Sequence, residues 1–489
     1  MQTFKIMGVV GAGTMGIGIC EVAAANGLTV LLYDIDKSFA EKAVEAMASR
    51  LKKRVVKGKI TQQQADDMVA AIKVVDDFKG FLVCDLVVEA IVENLAVKQQ
   101  LFKELELKVS AETLLASNTS SLSITAIAAA LKDPSRLIGL HFFNPAPVMK
   151  LVEVVAGLQT DEKLLLLAKK LCRTWGKVPV IAQSTPGFIV NRVARSFYGE
   201  ALKMKQENLA EFHQIDAVMR EGAGFRMGPF ELMDLIGIDI NYSVSQTVYQ
   251  AMFNEPRFRP SLLQGEMVEA NLLGKKTAKG FYQYTDGAVR PKTEYVFSDA
   301  TFDQITVPEE VTHLSVLFSE FDYDKRKWSG TEIVISGCHI VLSDGRTAKQ
   351  RETESQIPTC VVDLAFDYRK SDTINLAFGP AVDVYMRHRI IAVINHIGKN
   401  VIVTDDQPGL IAMRIVAMLI NEAADTVFNG VCSAQDVDLA MCNGVNYPKG
   451  LLAFAEVLGW SHVATTLEYL QQWFGDDRYR LSPYIRNQL

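Results

Sequence analysis

The sequence predicts an α/β protein: a doubly wound, mostly parallel sheet, then an all-helical domain, a small α/β domain, and a second copy of the helical domain. Three observations carry this. Short β-branched apolar runs alternate with longer helical patterns over residues 4–155, the rhythm of a sheet with helices on both faces. A glycine-rich turn, Gly11-Ala12-Gly13-Thr14-Met15-Gly16, joins the first apolar run to the first helical one. A helical stretch beginning near residue 185 recurs, without a gap, near residue 407. The segments that follow are 1–184, 185–285, 286–400 and 401–489, in keeping with roughly 100 to 200 residues per domain.

Within the first segment the apolar runs place strands at 5–10, 29–33, 85–89, 114–117, 137–141 and 151–155. Residues 36–60 read as one long basic helix carrying Lys52, Lys53, Arg54, Lys57 and Lys59. From 185 to 237 the pattern is helical and opens on Thr185-Pro186-Gly187. A constant offset of 222 lays this stretch on 407–459, matching Pro186 to Pro408, Arg192 to Arg414, Glu200 to Glu422, Asp216 to Asp438 and Gly237 to Gly459. Duplication explains such an ungapped register better than chance. Asn191 faces Met413, so the second copy has lost a polar role and reads as structural. Between the copies, β-type runs at 331–336, 339–342, 360–366 and 399–404 have no glycine-rich phosphate loop, which predicts a small Rossmann-like domain without its own nucleotide.

Composition narrows the function. Apolar residues at 49% and charged residues at 22% are globular values. A net charge of -6 gives no electrostatic footprint for nucleic acid or an anionic membrane. Seven scattered cysteines, never spaced as CxxC, read as reduced thiols and point to the cytoplasm. A strand pattern that begins by residue 4 leaves no room for a secretory leader. No apolar stretch approaches the roughly 18 residues of a membrane span.

The strongest local signal is the glycine-rich turn, because strand, G-x-G-x-x-G and helix together form a Rossmann-type dinucleotide site. Missing side chains at Gly11, Gly13 and Gly16 allow a tight turn and close approach to a pyrophosphate, with the backbone at Thr14 and Met15 opening the helix. Asp34 ends the next strand 18 residues beyond Gly16, where a carboxylate accepts hydrogen bonds from a ribose diol and repels a 2′-phosphate. This favours NAD over NADP.

Glu89 ends the third strand and Glu93 follows it. The plain reading is two solvated acids; the sharper one uses Glu93 and Lys98 at the nicotinamide half of the cofactor. His141 ends another strand, where a lone histidine is usually a satisfied structural residue. Glu153, however, interrupts the neighbouring run Leu151-Val152-Glu153-Val154-Val155, and a buried acid needs a partner. An imidazole oriented by that acid is a general base, and hydride loss from an alcohol requires one. The run Ser117-Asn118-Thr119-Ser120-Ser121 caps the following helix or offers a hydroxyl to a substrate oxygen, and Asn144 and Asn191 are further neutral donors. No metal is called for.

The motifs SNTSSL at 117–122, GLHFFNPAPVMKLVEVV at 139–155, STPGFIVNR at 184–192, GAGFRMGPFEL at 222–232 and GKKTAKGFY at 274–282 resemble the NAD-dependent L-3-hydroxyacyl-CoA dehydrogenases over residues 4–285. The whole length resembles a long bacterial branch that includes 3-hydroxybutyryl-CoA and 3-hydroxyadipyl-CoA dehydrogenases, the latter from phenylacetate breakdown. The resemblance implies that His141 is the general base, Glu153 its orienting acid, and Ser120 and Asn191 ligands of the substrate C3 oxygen. It places Asp34, Glu93, Lys98 and Lys276 at NAD, Ser120 near the nicotinamide, and Lys57 near the phosphates of coenzyme A. Arg50 departs from the polar residue the family carries before that lysine. A carboxyl-ended acyl chain would want a cation, for which Arg226, Arg257 and Arg259 are candidates. A homo-oligomer, dimer or trimer, is expected. The reading of another class is a non-catalytic NAD-binding structural subunit; a dehydrogenase of a CoA-free hydroxy acid is a further alternative that would not need Lys57.

Overall fold

The computed structural model describes residues 4–286, 291–302, 305–308, 312–318, 326–328 and 332–489. It divides into two compact units, 1–190 with 429–445, and 191–428 with 446–489.

In the first unit β1 (Ile6–Val10), β2 (Thr29–Tyr33), β3 (Ile72–Val74), β4 (Leu86–Glu89), β5 (Leu114–Ser117), β6 (Leu137–Phe142), β7 (Leu151–Ala156) and β8 (Val178–Gln183) form an eight-stranded sheet in the order β3-β2-β1-β4-β5-β6-β7-β8. All pairs are parallel except β6 with β7. Parallel neighbours need crossovers, supplied by α1 (Thr14–Ala25), α2 (Lys37–Val56), α3 (Gln62–Ala70), α4 (Leu95–Glu106) and α5 (Ile124–Ala128), while α6 (Glu162–Thr174) joins β7 to β8. The strand order reverses between β1 and β4, and ligands of such sheets bind in the crevice at the carboxyl ends there. Every residue of β6 and β7 is buried, which is why they read as continuous apolar runs.

Two strands of this sheet escape the sequence pattern. β3 is only three residues, Ile-Lys-Val, too short for a period. β8 contains Pro179, which argues against a central strand; it lies at the sheet edge, where a missing amide is tolerated. The long basic helix ends at Val56 instead of residue 60, because Thr61 starts α3 with a reciprocal capping box to Gln64.

The second unit begins inside the short helix α7 (Val190–Val193), followed by α8 (Arg195–Gln206), α9 (Phe212–Ala217), α10 (Pro229–Ile236), α11 (Ile238–Ala251) and α12 (Leu262–Glu269). Its seven-stranded sheet has the order β10-β9-β11-β12-β13-β14-β15, formed by β9 (Ile305–Val307), β10 (Arg326–Trp328), β11 (Ile333–Ile335), β12 (Cys338–Leu342), β13 (Thr359–Val362), β14 (Thr373–Phe378) and β15 (Asn400–Val403). Helices α13 (Ala348–Ser355) and α14 (Val384–His396) belong to it. The expected strand at 331–336 begins at Ile333; Thr331 lies outside the described residues. The chain closes with α15 (Ala412–Phe428), α16 (Ala434–Gly444), α17 (Leu451–Leu458), α18 (Trp460–Phe474) and α19 (Pro483–Arg486). α10 and α17 keep the offset of 222 at both ends, and α11 and α18 at their starts. Gly237 and Gly459 precede that last pair with nearly the same dihedrals, φ 103° and 95°. α16 belongs to the first unit, where it packs on β7 and β8, so the compact units do not follow the order of the chain.

Candidate active site

The turn after β1 is shaped for a diphosphate. Gly11 has φ +102°, and a Cβ there would come within 2.6 Å of the Ala90 carbonyl oxygen. A Cβ on Gly16 would sit 1.8 Å from the Gly11 carbonyl oxygen, so only glycine lets α1 approach β1 this closely. Gly13 faces open space and caps α1 without a side chain, leaving the amides of the first turn, at Thr14 and Met15, to a bound anion. Asp34 accepts the Ala12 amide at 2.7 Å and the Asp36 amide at 3.1 Å. It stands in a cleft of about 700 Å³ whose walls include Tyr33, Ile35, Phe78, Ile91 and Leu101. Apolar walls suit an adenine ring and the carboxylate a ribose diol, so these residues fit NAD.

The end of β4 carries a buried polar network. Glu89 is 0% exposed and accepts from Lys98 Nζ at 2.5 Å, the Ile91 amide at 2.7 Å and Ser117 Oγ at 2.6 Å. It is therefore no solvated acid. Lys98, 1% exposed, also lies 3.3 Å from Glu93. Glu93 in turn accepts from Thr119 Oγ1 at 2.6 Å, the Ser120 amide at 3.0 Å and Ser121 Oγ at 3.0 Å. Burial pushes the Glu93 carboxyl up, but the Thr119 hydroxyl, the Lys98 ammonium and the Ser120 amide outweigh it and hold the group below the usual glutamate range. Lys98, expected at the cofactor, thus spends its charge on two carboxylates, and Glu93 fixes the loop that bears Ser120.

His141 and Glu153 are directly opposed across the antiparallel β6–β7 pair. Nδ1 of His141 lies 2.6 Å from Glu153 Oε2, with the two residues 6% and 1% exposed. The other oxygen, Oε1, accepts the amides of Ile189 and Val190, each at 3.0 Å. Glu153 thereby orients an imidazole with one oxygen and seats the start of α7 with the other. The rings of Phe143 and Phe188, at 4.5 and 5.8 Å, flank the imidazole. With Nδ1 engaged, Nε2 is the nitrogen left for a substrate proton.

A second cleft, about 930 Å³, runs between α1, α2 and the loop after β6; Thr14, Glu21, Lys42, Arg54, Lys59 and Asn144 are among its lining. Glu21, on α1, holds Arg54 at 2.9 Å and Arg50 at 3.6 Å. Lys57 is the exposed C-cap of α2 and lies outside this lining. Lys42 and Glu21 went unnoticed in the sequence. The signal for Lys42 was a helical one: Phe39, Lys42, Ala43, Ala46, Arg50 and Arg54 recur every three or four residues along one face of α2.

The chain matches known proteins along its length. Residues 6–185 match the family 3-hydroxyacyl-CoA dehydrogenase, NAD binding domain. Residues 187–284 and again 409–488 match its C-terminal domain, and 340–408 match a 3-hydroxybutyryl-CoA dehydrogenase reduced Rossmann-fold domain. The chain is 41% identical to a 3-hydroxyadipyl-CoA dehydrogenase of Escherichia coli strain K12 over 99% of this chain and 98% of that one. A crystal structure of 3-hydroxybutyryl-CoA dehydrogenase from E. coli K12 is similar at a TM-score of 0.90 and 40% identity, covering 100% and 98% of the two chains. The mitochondrial hydroxyacyl-coenzyme A dehydrogenase of Rattus norvegicus is 42% identical over 57% of this chain and 91% of its own. The chain belongs to the 3-hydroxyacyl-CoA dehydrogenase family.

It is accordingly an NAD-dependent oxidoreductase of 3-hydroxyacyl-CoA substrates. Of the residues expected at this dehydrogenase's site, the first unit gathers the glycine-rich turn, Asp34, Glu93, Lys98, Ser120, His141, Asn144 and Glu153. Asn191 and Lys276 belong to the second unit, Asn191 as its first residue and Lys276 with its ammonium 2.5 Å from Asp239. Arg257 drops out as a ligand of an acyl carboxylate. It is buried, bonds Glu422 at 3.2 Å, and also engages Asp425 and the carbonyls of Arg478 and Arg480. Arg226 and Arg259 are exposed. No helix among the described residues is long and apolar enough to cross a membrane.

Proposed function

We propose that this dehydrogenase oxidises 3-hydroxyadipyl-CoA to 3-oxoadipyl-CoA, a step of phenylacetate-type aromatic breakdown. The observation that carries the chemistry is the buried His141–Glu153 pair, 2.6 Å apart on β6 and β7 of the sheet whose β1 leads into the glycine-rich turn. Nε2 of His141 takes the proton of the substrate 3-hydroxyl while Glu153 stabilises the imidazolium that forms. NAD, when bound, accepts the hydride from C3. Ser120 and Asn191 hold the C3 oxygen, and Asn144 adds a donor at the cleft shared with Thr14. Asp34, Glu93, Lys98 and Lys276 serve the cofactor, with Lys98 acting through Glu93. Lys57, with Arg54 and Lys59 nearby on the same basic stretch, meets the coenzyme A phosphates.

The choice of the adipyl chain is supported by the full-length relative in E. coli. The second reading, 3-hydroxybutyryl-CoA, is supported by the E. coli crystal structure of similar length. Comparing kcat/KM for NADH formation from the two esters decides between them; a preference for the C4 substrate overturns the first. Arg226 and Arg259 are the exposed cations a terminal carboxylate would use. Retention of four polar groups at His141, Glu153, Ser120 and Asn191 argues against a non-catalytic relic. The same reading places the protein in the cytoplasm, in keeping with its seven free thiols, and in a homo-oligomer, dimer or trimer, to which exposed Leu235, Ile240 and Phe253 offer apolar surface. Its mass in solution tests the last point.

A further inference from the structure

The offset of 222 does not stop at the helical copies. β14 (Thr373–Phe378) lies 222 residues after β7 (Leu151–Ala156) at both ends, and α14 (Val384–His396) lies 222 after α6 (Glu162–Thr174). β15 opens at Asn400, the counterpart of Val178 in β8. An aspartate caps each helix of the pair, Asp161 and Asp383. The ladders repeat as well: β13 runs antiparallel to β14 and β14 parallel to β15, as β6 does with β7 and β7 with β8. One strand further out the offset becomes 224, with Ile340 opposite Cys360 as Ala116 is opposite Ile138. The first amide of α13, at Ala348, is held by Asp406 just as that of α5, at Ile124, is held by Ser184.

This register puts Asp363 where His141 stands and Asn375 where Glu153 stands. Both are buried. Asp363 donates its amide to the Asn375 carbonyl at 2.9 Å, extending the β13–β14 ladder. Its carboxylate accepts the amides of Ile411, Ala412 and Met413 at 3.0, 2.8 and 2.9 Å, and Asn375 Nδ2 at 3.1 Å. Ile411 and Ala412 are the counterparts of Ile189 and Val190, the two amides that Glu153 seats. The seating function has survived and the imidazole has not. Asp344, in the place of Ser120, is tied to Arg346 at 2.6 Å and Arg351 at 2.7 Å, and Met413 replaces Asn191. The chain between 285 and 338 is too short to repeat β1 to β4 with their helices.

Contacts between the copies are exchanged reciprocally. Arg192 bonds Glu422 at 2.6 Å, and the counterpart Arg414 bonds the counterpart Glu200 at 2.9 Å. Gly222 closes on the Thr373 carbonyl of β14, while its counterpart Gly444 closes on Leu151 of β7, the counterpart of Thr373. Residues 218–222 of the first helical copy thus pack on β14, and α16 of the second packs on β7, an exchange of equivalent contacts.

We propose that residues 338–489 are a retired catalytic half, whose former acid–base pair, Asp363 and Asn375, now only seats the start of α15, leaving one nucleotide site and one catalytic base per chain. Titration of the full chain with NADH in a calorimeter should give one NADH per chain; two would overturn the proposal. Asp363→Asn and Asp363→Ala should both lower Tm, alanine the more, while kcat, both KM values and the pH profile measured well below Tm stay as in the unmodified enzyme. A wild-type Tm, or a lowered kcat or shifted pH profile, would refute the assigned role. Should Asp363→Ala not fold, the asparagine variant and the stoichiometry carry the test. Adding Asp363→Asn to His141→Ala should remove no further turnover; a further loss would mean that the second centre still works.

Discussion

The geometry of Glu153 makes the substitution Glu153→Gln unusually informative. Two amides, Ile189 and Val190, donate to Oε1 at 3.0 Å, so a glutamine must turn its carbonyl oxygen toward them. Its NH2 then points at Nδ1 of His141, 2.6 Å from Oε2 in the unmodified protein. An NH2 group can only donate, so Nδ1 must accept and the ring proton moves to Nε2. The substrate hydroxyl then meets an N–H instead of a lone pair. General-base catalysis is worth about 10²- to 10⁴-fold, and the amide-for-acid exchange behind a catalytic imidazole in serine proteases costs about 10⁴. We expect kcat for NADH formation to fall about 10³- to 10⁴-fold, or roughly 4 to 5.5 kcal/mol of barrier. Tm should stay near that of the unmodified protein, because both amides keep their acceptor. Glu153→Ala should lose the same activity and also stability, since buried donors without a partner cost about 1 to 3 kcal/mol each. Absorbance of NADH under saturating substrate, with thermal unfolding of each variant, measures both quantities. A glutamine variant within tenfold of the unmodified kcat would refute the assignment of His141 as a base oriented by Glu153.

Other outcomes follow from neighbouring contacts. Gly13→Val should leave Tm unchanged and abolish NADH binding, whereas Gly16→Val should fail to fold, because its Cβ would sit 1.8 Å from the Gly11 carbonyl; calorimetric NADH titration and Tm separate them. Asp34→Ala should raise the KM for NAD about 10- to 100-fold, the worth of one or two hydrogen bonds to a charged acceptor. Lys98→Met leaves Glu89 buried without its cation and should cost about 3 to 5 kcal/mol in denaturant unfolding. Glu93 is held below its ordinary range, so its hold on the Ser120 loop is complete above the unfolded value and fades only as pH falls through the lowered one; KM should therefore stay constant from neutral pH down to the ordinary glutamate range, and a rise already near neutrality would contradict this.

Much of the fold was legible because period and punctuation coincide. The central strands are buried on both faces and so appear as apolar runs, and the glycines at 11 and 16 mark a turn where a Cβ would strike backbone, with Gly13 facing open space between them. β3 and β8 stayed hidden because a three-residue strand has no period and Pro179 is the residue least expected in one. The second sheet was only partly readable for a different reason. Its strands β13 and β14 are as buried as β6 and β7, yet β14 carries Thr373 and Asn375, polar residues satisfied by Glu221 and Asp363. Local hydrophobicity cannot register a partner supplied from elsewhere in the chain.

The candidate site divides along the same line. Glu153 could be found because an acid in an apolar strand demands a partner, and the register of an antiparallel pair supplies one directly opposite. Glu89 looked like a surface acid because two of its three partners, Lys98 of α4 and Ser117 of β5, come from elements whose adjacency the linear sequence does not state. Glu21 was hidden for the same reason, since its cations lie on α2. The repeat offers a way past this limit. Two copies at one offset report which contacts the fold needs, such as the seated amides at 189–190 and 411–412, and which only the chemistry needed, such as the imidazole kept at 141 and absent at 363. On the reading proposed above, a polar residue kept in the first copy and replaced in the second points to function, and one matched in both points to the fold.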